Sequence, residues 1–121
     1  MPLSQRTRRI AAVTFWLALI FAVTMALLPH PPELAADKFG DKFHHVLAFS
    51  VLSALAAAAF PRTPPWRMIE HLSFLGAMIE VAQAIPVLHR DCDIRDWIAD
   101  TVAIIAVLIL LEMFKPARRK R

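Results

Sequence analysis

The chain has 121 residues, of which 58% are hydrophobic, with two glycines, one cysteine, no tyrosine and a formal charge of +4. That length is one domain's worth of polypeptide and leaves no room for a separate soluble catalytic module, and an apolar share above the ~45–50% usual in soluble proteins points towards lipid. Cys92 alone excludes an intramolecular disulfide, no Cys/His spacing matches structural zinc, and the basic residues sit at the ends of apolar runs and not on one amphipathic face, which argues against a nucleic-acid partner.

The first element spans 10–28, IAAVTFWLALIFAVTMALL, and carries no charge. As a helix it rises about 28 Å, close to the ~30 Å hydrocarbon core of a bilayer. Arg6, Arg8 and Arg9 precede it. A secretory signal would have an apolar region of only about 7–15 residues, and Leu34-Ala35-Ala36 is a poor cleavage site, so an uncleaved span is expected.

The second element, 43–60, is rich in alanine and opens at His44-His45; Pro61, Pro64 and Pro65 mark the turn after it, because proline cannot continue a helix interior. The third, 68–88, contains Glu80, Gln83 and Pro86, and the missing N–H of Pro86 is expected to leave the Ala82 carbonyl free beside Gln83. The fourth, 96–114, contains Asp100. Trp66 and Trp97 stand at span ends, where interfacial anchoring is expected. These runs show almost none of the broad polar face of a soluble bundle helix. The expected fold is therefore all-α, a single-domain integral membrane bundle of four transmembrane helices.

Lysine and arginine set the orientation, since short cytoplasmic loops retain them. Arg6, Arg8, Arg9, Arg62, Arg67, Lys115, Arg118, Arg119, Lys120 and Arg121 fall on one side, and only Lys38, Lys42, Arg90 and Arg95 on the other. Both termini are thus expected in the cytoplasm, with the basic tail 115–121 as a topology anchor. The acidic residues distribute the opposite way. Glu33, Asp37, Asp41, Glu80, Asp91, Asp93, Asp96 and Asp100 lie in outer loops or outer helix halves, against Glu70 and Glu112 inside.

Helical spacing groups the polar residues into stripes: Ser73, Gly76, Glu80, Gln83 and Val87; Asp93, Asp96, Asp100 and Ala103; Asp41, His45 and Ala48. If the third helix reaches Val87, Glu80 lies about 10 Å below its outer end. A carboxylate at that depth costs about 2.5–3.5 kcal/mol, so it should face the bundle and hold a proton or pair with His45, Lys42 or Arg90.

Three segments carry a family resemblance: Asp41-Lys42-Phe43-His44-His45-Val46-Leu47-Ala48-Phe49, Gly76-Ala77-Met78-Ile79-Glu80-Val81-Ala82-Gln83, and Arg90 followed by Asp96-Trp97-Ile98-Ala99-Asp100. In order and spacing they resemble the VanZ-like family, whose pattern reads approximately DKxxHxxAF, GxxxExxQ and Rx5DxxAN. The resemblance covers 37–110 and implies a small protein of the bacterial cytoplasmic (inner) membrane; the family is named for a member that lowers susceptibility to the glycopeptide teicoplanin. Asp41, Lys42, His45, Glu80, Gln83, Arg90 and Asp96 match its polar positions, whereas Asp100 stands where asparagine is usual and Ala103 where glycine is common.

The candidate polar cluster is therefore Asp41, Lys42, His45, Glu80, Gln83, Arg90, Asp96 and Asp100. Within it, Glu80 and His45 are candidates for acid–base catalysis, with a structural ion pair locking the second and third helices the favoured reading. A metal site from Asp41, His45, Glu80 and Asp96 is chemically conceivable, yet no compact ligand spacing supports one, and neither metal nor cofactor is expected. His44, His89, Asp91 and Asp93 read as solvated loop residues. No phosphate loop, nucleophile elbow or zinc-peptidase helix is present. The resulting expectation is an outward-facing polar pocket that binds or processes a cell-envelope lipid or lipid-like molecule, with membrane lipids, a lipid-linked envelope precursor or a lipoglycopeptide as partners. The alternatives are a membrane enzyme using Glu80 and His45, and a proton-linked carrier. Ala54 and the run 56–59 permit close helix packing within one chain or between chains, which leaves the oligomeric state open.

Overall fold

Local chemistry at the chain's punctuation points decides where its helices begin and end. In the computed structural model, which describes residues 3–27, 41–85 and 94–114, Ser4 Oγ accepts the Thr7 amide at 3.1 Å and starts α1 (Gln5–Leu27) as an N-cap. α2 (Asp41–Ala59) stops before Pro61. The turn is closed by the Thr63 amide donating to the Phe60 carbonyl at 3.1 Å. Extended Pro64 then leads into α3 (Pro65–Gln83), with Pro65 in the first turn, where its missing N–H would have had no helical partner. α4 (Ile94–Met113) completes the described chain, which is helical throughout with no strand among the described residues.

The end of α3 departs from the sequence expectation. The helix stops at Gln83, and the Ala84 amide is shared between the carbonyls of Glu80 and Val81, both at 3.2 Å. The Ala82 carbonyl is not left free, because the Ile85 amide donates to it at 3.1 Å. The chain tightens into a 3₁₀-type turn ahead of Pro86, since the residue before a proline is disfavoured in helical conformation. Glu80 consequently lies within the last turn of α3, about 5 Å from its end, and not about 10 Å deep.

Successive helices run antiparallel. Phe15 in the first half of α1 meets Phe60 beyond the end of α2 edge-to-face, with ring centroids 5.5 Å apart. Gln83 at the end of α3 reaches Ala26 at the end of α1. α2 and α4 form the most extensive pair, flanked by α1 on α2 and α3 on α4. The core between them is Phe15, Phe49, Leu52, Ala56, Met68, Leu72, Ile79, Ile104 and Leu108. By length and composition, α1 is the one described helix long and apolar enough to cross a membrane; the apolar stretch of α2, Phe43–Ala59, is shorter.

Each inner face changes character along its length. On α2 the inward residues run His45, Phe49, Leu52, Ala56; on α3, read backwards, Gln83, Glu80, Gly76, Leu72, Met68; on α4, Asp96, Asp100, Ile104, Leu108. Spacings of three and four put each set on one stripe. The polar ends of all three stripes meet at the same end of the bundle.

Candidate functional site

His45 is the hub of that polar end. Its Nδ1 lies 3.2 Å from Asp100 Oδ1 and 3.4 Å from Oδ2, while its Nε2 lies 3.7 Å from Asp96 Oδ2. Glu80 approaches from α3, so that ligand-capable atoms of His45, Glu80 and Asp96 all fall within 4.8 Å of one another. Burial deepens from His45 (14% of its side chain exposed) through Asp96 and Glu80 (7% and 6%) to Asp100, which is fully enclosed. Three carboxylates, Glu80 of α3 and Asp96 and Asp100 of α4, thus converge on the one imidazole of α2.

Gly76 sits where α3 approaches this cluster closely. A Cβ there would stand 3.1 Å from Asp100 Oδ2, 3.4 Å from Trp97 Cδ1 and 3.5 Å from Phe49 Cζ. A side chain there would require the Asp100 carboxylate to give way by a few tenths of an ångström, so glycine suits the close approach of α3. One turn further along the helix, the buried Gln83 donates from Nε2 to the Ala26 carbonyl at 2.9 Å. That carbonyl belongs to the last turn of α1, where helix carbonyls have no partner in their own helix.

A second polar set fastens α3 to α4 beside the cluster. Thr101 donates to the Trp97 carbonyl at 3.0 Å, which leaves the Ser73 hydroxyl to donate to Thr101 Oγ1 at 2.8 Å. Trp97 Nε1 donates to the Ser73 carbonyl at 3.0 Å. Trp97 is thus partly buried between helices and serves as an interhelical tie, correcting its reading as an interfacial anchor. Trp66 stays exposed at the start of α3, with the Arg67 guanidinium 5.2 Å from its ring centroid.

Of the sequence-predicted residues, His45, Glu80, Asp96 and Asp100 are brought together, with Gln83 one turn away. Asp41 and Lys42 lie in the first turn of α2, but their side chains are outside the described set, as are Arg90, His89, Asp91, Cys92 and Asp93 entirely. The ion pair expected between α2 and α3 is found between α2 and α4 instead, because Asp100 backs His45 directly. Sequence reasoning missed Thr101 as a partner of Ser73; the signal available was a hydroxyl next to Asp100, opposite the small and polar stripe of α3. No protein-family model, no curated protein and no solved structure matches the chain.

Proposed function

We propose that the chain is a four-span protein of the bacterial cytoplasmic membrane with both termini inside, and that its histidine–carboxylate cluster binds the polar headgroup of a cell-envelope lipid or lipid-like molecule. The observation that carries this reading is an inverted distribution of polarity. Val13, Leu17, Ile20 and Phe21 on α1, Phe74 and Val81 on α3, and Val102 and Ile109 on α4 are exposed, while Ser53, Glu80, Gln83, Asp96 and Asp100 are buried. Water would favour the reverse, whereas acyl chains favour this. α2, α3 and α4 have 19, 19 and 20 residues, so each rises about 28–30 Å, the thickness of the hydrocarbon core. Their charged residues lower their mean apolarity, but the buried ones point into the bundle, and the exposed ones, Arg67, Glu70 and His71 on α3 and Arg95 and Glu112 on α4, lie towards the helix ends.

α1 is part of the bundle in this reading: Phe15 sits in the core and Ala26 receives the Gln83 hydrogen bond. The basic residues at the start of α1 and around the α2–α3 turn lie at the end opposite the cluster, which the positive-inside rule places in the cytoplasm. The cluster then opens towards the outer surface. The order of the three polar motifs supports a VanZ-like protein, and with it an influence on glycopeptide (teicoplanin) susceptibility.

The test is retention of lipid by the purified protein, read by native mass spectrometry against phospholipids, a lipid-linked envelope precursor and a lipoglycopeptide. One of these is expected to remain bound and to be lost at least tenfold in Glu80→Gln and in Asp96→Asn. Wild-type protein that retains none of them, together with unchanged glycopeptide susceptibility in a deletion strain, refutes the reading. One observation favours a second reading as an acid–base enzyme: Asp100 behind the imidazole is how a carboxylate orients a histidine base. Substrate turnover abolished in Glu80→Gln while headgroup binding persists would select it. The proton-carrier alternative has no such support, because apolar Leu52, Leu72, Ile104 and Leu108 lie between the cluster and Glu70 and Glu112 at the far end.

A further inference from the structure

We infer that His45, Glu80 and Asp96 hold a divalent transition-metal ion, with Zn²⁺ or Mn²⁺ the best matched, and that Asp100 is the residue that positions His45 for it. This deepens the headgroup reading and rests on it for the ligand's identity: a metal with an open position would take a phosphate oxygen of the headgroup.

Two observations converge. First, the three residues come from three different helices and present one nitrogen and two carboxylates within 4.8 Å of one another. Ligand atoms around a tetrahedral ion at ~2.0–2.2 Å lie roughly 3.4 Å apart, so a carboxylate rotation of about an ångström closes the set. One imidazole and two carboxylates suit Zn²⁺ and Mn²⁺ better than Mg²⁺ or Ca²⁺, which prefer oxygen alone.

Second, the back of the imidazole is held as metal-binding histidines are held. Nδ1 faces both oxygens of the fully buried Asp100 at 3.2 and 3.4 Å, which places the ring proton there and presents the Nε2 lone pair on the side of Asp96. A carboxylate behind a ligating histidine fixes its tautomer and raises its basicity. Asp100 is enclosed, and its Oδ1 has the ring nitrogen as its ion-pair partner at 3.2 Å.

The experiment uses the full chain, purified in detergent with a histidine-free tag and stripped with chelator, then equilibrated with Zn²⁺ or Mn²⁺ and assayed for bound metal. About one ion per chain is expected, and Glu80→Gln and Asp96→Asn, both close in shape to wild type, should each weaken affinity at least tenfold. Asp100→Ala should weaken it about 10–100-fold, and Asp100→Asn, which restores an acceptor for Nδ1–H, should recover most of that loss; a merely structural Asp100 would not show the recovery. Absence of stoichiometric metal in folded wild-type protein overturns the proposal, and so does undiminished binding in both Glu80→Gln and Asp96→Asn, which would put the ion elsewhere. Lipid retention in excess chelator separates the two ideas. Headgroup binding that survives chelation without stoichiometric metal keeps the lipid reading and sinks the metal, whereas metal binding with no headgroup retained supports the site and sinks the lipid reading.

Discussion

Gly76→Ala sets two well-calibrated effects against each other. Alanine in a helix interior is favoured over glycine by about 1 kcal/mol, so helix propensity alone predicts a more stable protein. The new methyl would meet Asp100 Oδ2 at 3.1 Å, inside ordinary contact distance, and would also touch Trp97 Cδ1 and Phe49 Cζ. Whether this hurts depends on whether Asp100 can yield. It is fully buried and held on its other side by His45, and Trp97 is tied by its indole N–H to Ser73. Overpacking against neighbours that cannot move costs about 1–3 kcal/mol, which leaves a net destabilisation of about 1 kcal/mol, or roughly 3–6 °C in a chain of this size. Thermal unfolding of purified protein in detergent reads it directly. In an Asp100→Ala background the carboxylate is gone, so adding Gly76→Ala should cost nothing or stabilise, giving a coupling of about 1 kcal/mol or more in the double-mutant cycle. A higher midpoint for Gly76→Ala alone, or a coupling near zero, would show that the close approach of α3 to Asp100 does not constrain this site.

Other consequences can be checked in the same preparation. Gln83→Leu keeps volume but removes the donor to Ala26, and should cost about 1 kcal/mol and loosen the end of α1; an unchanged midpoint and unchanged proteolysis of that end would dismiss the cap. Trp97→Phe keeps an aromatic ring yet deletes the bond to the Ser73 carbonyl, with an expected loss of about 1 kcal/mol, non-additive with Thr101→Val because both act on the α3–α4 tie. For orientation, a membrane-impermeant maleimide should label Cys92, the one thiol of the chain, on intact cells; labelling only after permeabilisation inverts the topology.

Much of this arrangement was legible because helical periodicity and prolines survive in any helical context. Pro61, Pro64 and Pro65 located the α2–α3 turn, and the spacing of Gly76, Glu80 and Gln83 announced an inward stripe on α3. What spacing does not carry is the rotation of one helix about its axis relative to another. It therefore offered Glu80 as the partner of His45, where packing against α4 makes Asp100 the nearer one. Asp100 looked like a departure from the VanZ-like pattern, and its consequence depended on a contact 55 residues away in sequence. The end of α3 was misplaced for a local reason: an apolar run continuing to Leu88 outweighed the restriction that Pro86 puts on Ile85.

Energetics bear on why this end of the bundle is polar at all. Continuing the apolar stripes through positions 45, 80, 96 and 100 would extend a core already built from Leu52, Leu72 and Ile104, and replacing buried ion pairs by well-packed apolar groups is often neutral or stabilising. The cluster is thus poorly explained as a stability device. Its vertical order is better explained by access. Asp96, two residues into α4, lies about 3 Å from the helix start, Glu80 about 5 Å from the end of α3, and His45 about 6 Å into α2, all close to the end of the bundle where the proposed headgroup or ion would arrive. Asp100 lies about 9 Å down α4, enclosed, where its close ionic neighbour is the far side of the His45 ring. Three side chains near the helix ends over one fully enclosed support suit a binding site, since the group that aims the others must be held by its surroundings.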